Sequence, residues 1–149
     1  MKKDFQAIVF MTSFSIFLAG CSSSSQPVES LILDAAAKNS SAFVLPQELS
    51  PSGVWQELII VCPYGDAPAQ AKEVFHDAVK SIDTTDTDTS QWLLMKDAET
   101  VTTVTISRNS LDFCAHSDAL NKTFLPNDLW ASKSTDEITI LTPAPTTKT

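Results

Sequence analysis

The sequence predicts an α+β domain of two layers, a mostly antiparallel sheet of about five strands with one main helix packed on one face. Three observations lead there. Val54 to Cys62 (VWQELIIVC) holds an unbroken Leu58-Ile59-Ile60-Val61 run, as in a strand buried on both faces near the middle of a sheet. Pro68 to Ile82 places Ala71, Val74, Phe75, Ala78, Val79 and Ile82 at i, i+3, i+4, i+7, i+8 and i+11, one apolar stripe of helical period. Thr102 to Arg108 sets Thr102, Val104 and Ile106 against Thr103, Thr105 and Ser107, the period of two of a β-strand.

The remaining elements follow in order. Pro27 to Asn39 (PVESLILDAAAKN) reads as a short helix, with Leu31, Ile32 and Ala35 on one face and Asn39 as its stop. Ser40 to Gly53, with Pro46 and Pro51, reads as an ordered loop. After the central strand, Pro63-Tyr64-Gly65-Asp66 turns the chain. Pro68 then stands in the first turn of the main helix, where a missing N–H costs nothing. Lys72, Glu73, His76, Asp77 and Lys80 take its polar side. Asp83 to Ser90 (DTTDTDTS) is a polar loop. Gln91 to Lys96 and Thr102 to Arg108 form a hairpin about Asp97-Ala98-Glu99, and Leu111 to Ala115 is a third strand after the Asn109-Ser110 turn. Ala119 to Ser134 is expected to be turn-rich, with a short helix at Asn127 to Ala131. Glu137 to Leu141 makes a last strand. The globular domain spans 28–142, and 143–149 (PAPTTKT) reads as a disordered tail.

The amino terminus carries a different pattern. Lys2 and Lys3 precede an apolar run from Phe5 to Phe17, too short to span a bilayer comfortably as a helix, which needs roughly 20 residues. Leu18-Ala19-Gly20-Cys21 follows directly. This order of charge, apolar run and tetrapeptide resembles the lipobox of bacterial lipoprotein precursors. The resemblance implies that the Cys21 thiol receives a diacylglyceryl group, that a signal peptidase cuts before Cys21, and that residues 1–20 are removed. Each buried CH2 contributes about 0.8 kcal/mol of membrane binding, so two or three chains make a durable anchor. Residues 21–27, the lipidated Cys21 and a Ser-rich stretch, then serve as a flexible tether. The resemblance implies an extracytoplasmic protein held at the cell membrane by lipid on Cys21, with room for an envelope protein partner. Ser22 in place of Asp permits outer-membrane sorting in a Gram-negative cell.

Composition narrows the function. Loss of residues 1–20 removes two lysines and one aspartate, which turns a formal net charge of −8 into −9. Arg108 is the sole arginine. So acidic a chain is a poor nucleic-acid binder, because phosphate contacts dominate that affinity. Three glycines, one of them Gly20, leave no Gly-rich phosphate cradle and no G-x-G-x-x-G or Walker pattern. No cofactor is indicated.

With Cys21 lipidated, Cys62 and Cys114 remain, and two cysteines outside the cytoplasm usually pair. A sharper reading is redox chemistry. Cys62-Pro63-Tyr64-Gly65, after a strand and before a helix, is similar to the glutaredoxin Cys-Pro-Tyr-Cys site, whose nucleophile lies at a helix amino terminus. The second cysteine of that motif is Gly65 here. Asp86, Asp88, Ser90 and Asp97 occupy positions 1, 3, 5 and 12 of a calcium-loop register, but position 6 is Gln91 rather than Gly, which favours a solvated Asp/Thr loop. His76 and His116 stand apart without a ligand cluster, so no metal site is expected. No G-x-S-x-G nucleophile elbow occurs, and no catalytic residue is singled out. Trp55, Trp92 and Trp130 read as core or rim residues rather than as a binding surface. The expectation is a lipid-anchored binding or structural module. The alternatives are a thiol-redox or other enzyme centred on Cys62, and a ligand-binding accessory of a transporter or envelope complex.

Overall fold

The computed structural model of the protein describes residues 27–65, 67–75 and 88–145. Helix α1 (Val28–Lys38) leads into β1 (Phe43–Val44), and β2 (Glu57–Val61) into α2 (Ala67–Phe75). β3 (Ser90–Lys96), β4 (Val101–Ser107) and β5 (Leu111–Asp112) follow, then β6 (Thr123–Phe124), β7 (Leu129–Ser134) and β8 (Thr139–Pro143). The class is α+β and the pairing mostly antiparallel, but eight strands form two four-stranded sheets instead of five forming one. The first sheet runs β4-β3-β2-β6, the second β1-β7-β8-β5, and among the described residues only β5 and β8 pair in parallel.

The apolar run on β2 explains the layering. Leu58 and Ile60 point one way, where they meet Leu93, Met95 and Ile106 of the first sheet and Phe43, Leu111, Trp130 and Leu141 of the second. Ile59 and Val61 point the other way, where Trp92 and Leu94 join them against Phe75 of α2. So β2 is buried on both faces because a sheet covers one and a helix the other. α1 adds Ile32 and Ala36 to the core between the sheets. All three tryptophans are buried, Trp130 between Phe113 and Phe124 at ring distances of 5.3 and 4.6 Å.

Several expectations need correction. The expected loop at 40–53 contains β1 and a short 3-10 turn at Gln47–Leu49. The expected helix at 127–131 is instead the start of β7. Leu125 N–H donates to Asp128 Oδ2 (2.7 Å) and Asp128 N–H to the Leu125 carbonyl (3.0 Å), so a tight turn delivers Leu129 into extended pairing. The last strand begins at Thr139, because Thr135 and Ile138 close the β7–β8 hairpin through a Thr135 N–H bond to the Ile138 carbonyl (2.9 Å). It runs on through Pro143, and Ala144 N–H donates to the Leu129 carbonyl (2.8 Å), so ordered pairing passes the expected domain end at 142. β5 stops at Asp112 rather than Ala115, because side chains take the next backbone N–H groups. The expected second half of the main helix (76–82) and the tail residues 146–149 lie outside the described residues.

Candidate functional site

The end of the first sheet where β2 meets α2 brings together Cys62 and Cys114, the two cysteines picked out in the sequence as a pair. Cys62 leaves β2 and Cys114 follows β5. Their sulfurs stand 1.99 Å apart and their Cα atoms 5.7 Å apart, at disulfide distance, across a sequence separation of 52. The link joins a strand of one sheet to the segment that edges the other.

Cys62 to Gly65 form a β-turn closed by Gly65 N–H on the Cys62 carbonyl (3.0 Å). Pro63 supplies the fixed φ of its second position, and Tyr64 occupies the third at φ 64°. That position favours Gly or Asn, and a tyrosine there is strained. Its ring is exposed, and its hydroxyl donates to the Asp88 carboxylate, tying the turn to the start of β3. A Cβ on Gly65 would come within 2.9 Å of the Cys62 carbonyl oxygen and 3.0 Å of Val61 Cγ1. The place of the second cysteine in the glutaredoxin motif therefore has no room for a side chain, and Cys62 faces Cys114 instead.

Beside this turn lies an open cavity of about 360 Å3, lined by Ile59, Ile60, Gln70, Glu73, Asn121 and Lys122. A second groove of about 460 Å3 runs between β6 and the end of β8, past Phe124, Asp128, Leu129 and Pro145. Both have the volume of small-ligand sites.

The calcium register is not brought together. Asp88 serves Tyr64, and Ser90 and Asp97 flank opposite ends of β3. Asp97 accepts the N–H groups of Glu99 (2.9 Å) and Thr100 (2.7 Å), which close the β3–β4 turn and hold its carboxyl below the usual 3.8. Among the described residues no three His, Cys, Asp or Glu side chains assemble into a metal-sized group. His116 is exposed. Asp86, His76 and the lipobox residues Leu18, Ala19, Gly20 and Cys21 lie outside the described residues.

Three polar residues that sequence reasoning passed over sit beside the cysteine link. Arg108 grips Asp112 with two donors, Nε to Oδ1 (3.2 Å) and Nη2 to Oδ2 (2.8 Å), and Cys114 N–H donates to the same carboxylate (2.6 Å). Gln91 is fully buried, and its side-chain amide bonds the Leu111 carbonyl and the Phe113 N–H. A glutamine at the start of an apolar strand was the one signal available for this joint. No helix among the described residues is long and apolar enough to cross a membrane. No family model matches the chain, and no curated protein or solved structure is similar to it.

Proposed function

We propose that the chain is a bacterial envelope lipoprotein, tethered by lipid on Cys21 at the extracytoplasmic face of a membrane, and that its domain acts by binding or structural contact. The observation that carries this reading is the ordered series Lys2-Lys3, apolar Phe5 to Phe17, and Leu18-Ala19-Gly20-Cys21. The Cys62–Cys114 pair at disulfide distance supports it, since such links persist in oxidising compartments. The exposed Tyr64, fixed in a strained turn, is a contact residue suited to a partner's apolar pocket.

A thiol-redox role at Cys62 has less support, because Gly65 leaves no room for a resolving cysteine. The 360 Å3 cavity favours a second reading, a small-ligand accessory to an envelope complex. The deciding experiment is intact mass of the protein purified from its own membranes, with thiol alkylation under non-reducing conditions, beside a Cys21→Ala variant. Acyl chains on Cys21, no alkylated thiol, and loss of membrane association in the variant are the expected results. An unacylated Cys21 in membrane-associated protein overturns the anchor.

A further inference from the structure

β4 is an edge strand with an open side. It pairs with β3 without interruption from Ser90↔Ser107 to Lys96↔Val101, and among the described residues no strand lies beyond it. In an antiparallel ladder the N–H and C=O of one residue point to the same side, and those of the next to the other. Two hydrogen bonds just past the ends of the ladder fix the parity. Arg108 N–H donates to the Thr89 carbonyl (2.8 Å), and Asp97 N–H to the Thr100 carbonyl (3.0 Å). Residues 100 and 108 therefore face β3, and so do Thr102, Val104 and Ile106. Val101, Thr103, Thr105 and Ser107 face outward.

Ser107 bears this out. Its N–H donates to Glu29 Oε1 (2.7 Å), and its carbonyl accepts the Ser110 hydroxyl (3.4 Å). Glu29 on α1 thus covers one end of the edge. Among the described residues Val101, Thr103 and Thr105 have no such cover, which leaves three N–H and three C=O groups facing outward. Folded proteins usually blunt such an edge with charge, proline or a bulge. From Val101 to Ser107 there is no charged residue and no proline, and the register is unbroken.

We propose that this edge pairs with the same edge of a second copy across a two-fold axis, with Thr103 opposite Thr103 and Val101 opposite Thr105. In this register every outward group on both strands is paired. Moving it by one step sets Val101 against Ser107, whose N–H is already taken, or Thr105 against Glu99 of the hairpin turn. The match is self-complementary and the paired residues 101–105 are uncharged, while Glu99 of each copy comes opposite Ser107 and the Glu29 carboxylate bonded to it, which adds to the repulsion between chains of formal net charge −8. The two first sheets become one continuous eight-stranded sheet. Repulsion between the acidic bodies is screened by salt, so the dimer tightens as ionic strength rises.

The test uses the full chain purified from cells in a mild detergent, followed by sedimentation velocity and residue-resolved amide exchange over a range of concentrations. A concentration-dependent dimer is expected, with the amides of Val101, Thr103 and Thr105 gaining protection on association while those of Thr102, Val104 and Ile106 are protected throughout. Thr103→Pro removes the donors at the axis and weakens the dimer by about tenfold or more. Thr103→Lys and Thr103→Glu each set like charges across the axis and dissociate it, and mixing the two restores a heterodimer. A monomer at every concentration, edge amides that stay unprotected, or a mixture that associates no better than its components overturns the proposal. If those amides are protected only when an extended peptide from another protein is added, the edge is a peptide site and the dimer is refuted.

Discussion

Gln91 carries the joint between the two sheets, and its replacement tests that reading. Its Nε2 donates to the Leu111 carbonyl and its Oε1 accepts Phe113 N–H at 2.9 Å, with no solvent exposure. Gln91→Leu keeps the bulk and removes both bonds. Each buried backbone group left unpaired costs about 1–3 kcal/mol, so the pair costs roughly 2–6 kcal/mol. Gln91→Glu is the sharper probe. The ionised carboxylate still accepts Phe113 N–H but turns an acceptor toward the Leu111 carbonyl. Protonated, it donates there and restores both bonds. Burial and that bond both favour the neutral acid, so the introduced carboxyl titrates above its value in the unfolded chain, about 4.3. A folded-state value raised in this way adds stability that is fully present below the unfolded value and lost as pH rises through the folded one. The variant should therefore approach the parent protein in mild acid and fall toward Gln91→Leu at neutral pH. Urea unfolding with the Cys62–Cys114 link intact, repeated over pH 4 to 8 with the parent as reference, reads this directly. If Gln91→Leu loses less than about 0.5 kcal/mol, or if Gln91→Glu tracks the parent across the range, the amide does not join the sheets.

Three further outcomes are expected. Cys62→Ser and Cys114→Ser should each lower stability by about 4 kcal/mol, the chain-entropy value for a link spanning 52 residues, and the double variant should match either single one in urea unfolding. Arg108→Lys keeps the charge but loses the two-point grip on Asp112, which should cost about 1 kcal/mol or more in the same assay. Asp97, held below 3.8 chiefly by the N–H of Glu99 and then of Thr100, stabilises the β3–β4 turn above the usual carboxylate range. That contribution is lost as pH falls through its depressed value. Amide exchange at Glu99 and Thr100 should accelerate only in strong acid, and Asp97→Ala should abolish the pH step.

The parts of the fold legible in the sequence are those with a long, pure period. The Leu58–Val61 run marks β2, and the alternation from Thr102 onward marks β4 and puts Val104 and Ile106, which the structure packs into the core, on one face. The cysteine pair was legible from arithmetic, because reading Cys21 as a lipobox cysteine leaves two thiols to meet. The second sheet was not. β1 is two residues long, too short for any period, and β7 carries Ser132, Lys133 and Ser134 where a buried strand would announce itself with apolar side chains. Trp130 alone anchors β7 in the core, and one large residue among polar ones reads as a turn or helix rim. The turn at Leu125–Asp128 compounds this, since its Pro and Asn suit a helix start as well as a tight turn. Gln91 and Asp112 escaped notice for another reason. Their role is to bond backbone groups distant in sequence or held by a local turn, and no spacing rule encodes such partners.

Those same residues explain how so short a strand as β5 can hold the second sheet against the first. A two-residue strand has almost no ladder of its own, yet Leu111 to Cys114 is fastened at every residue. Gln91 takes the Leu111 carbonyl and the Phe113 N–H, Arg108 clamps Asp112, Asp112 takes the Cys114 N–H, and the Cys114 sulfur meets Cys62 just past the end of β2. The anchoring groups come from the end of β2, from β3 and from the end of β4, so three neighbouring strands of the first sheet grip one segment of the second. Phe113, set edge-on to Trp130, carries that constraint into the shared core. Cutting the cysteine link therefore leaves the segment held by its polar bonds, while Gln91→Leu leaves it held by sulfur. Residues that share one segment do not contribute additively. The combined Gln91→Leu and Cys114→Ser variant should lose more stability than the sum of the two single changes, because only the double change lets the segment swing away from the first sheet.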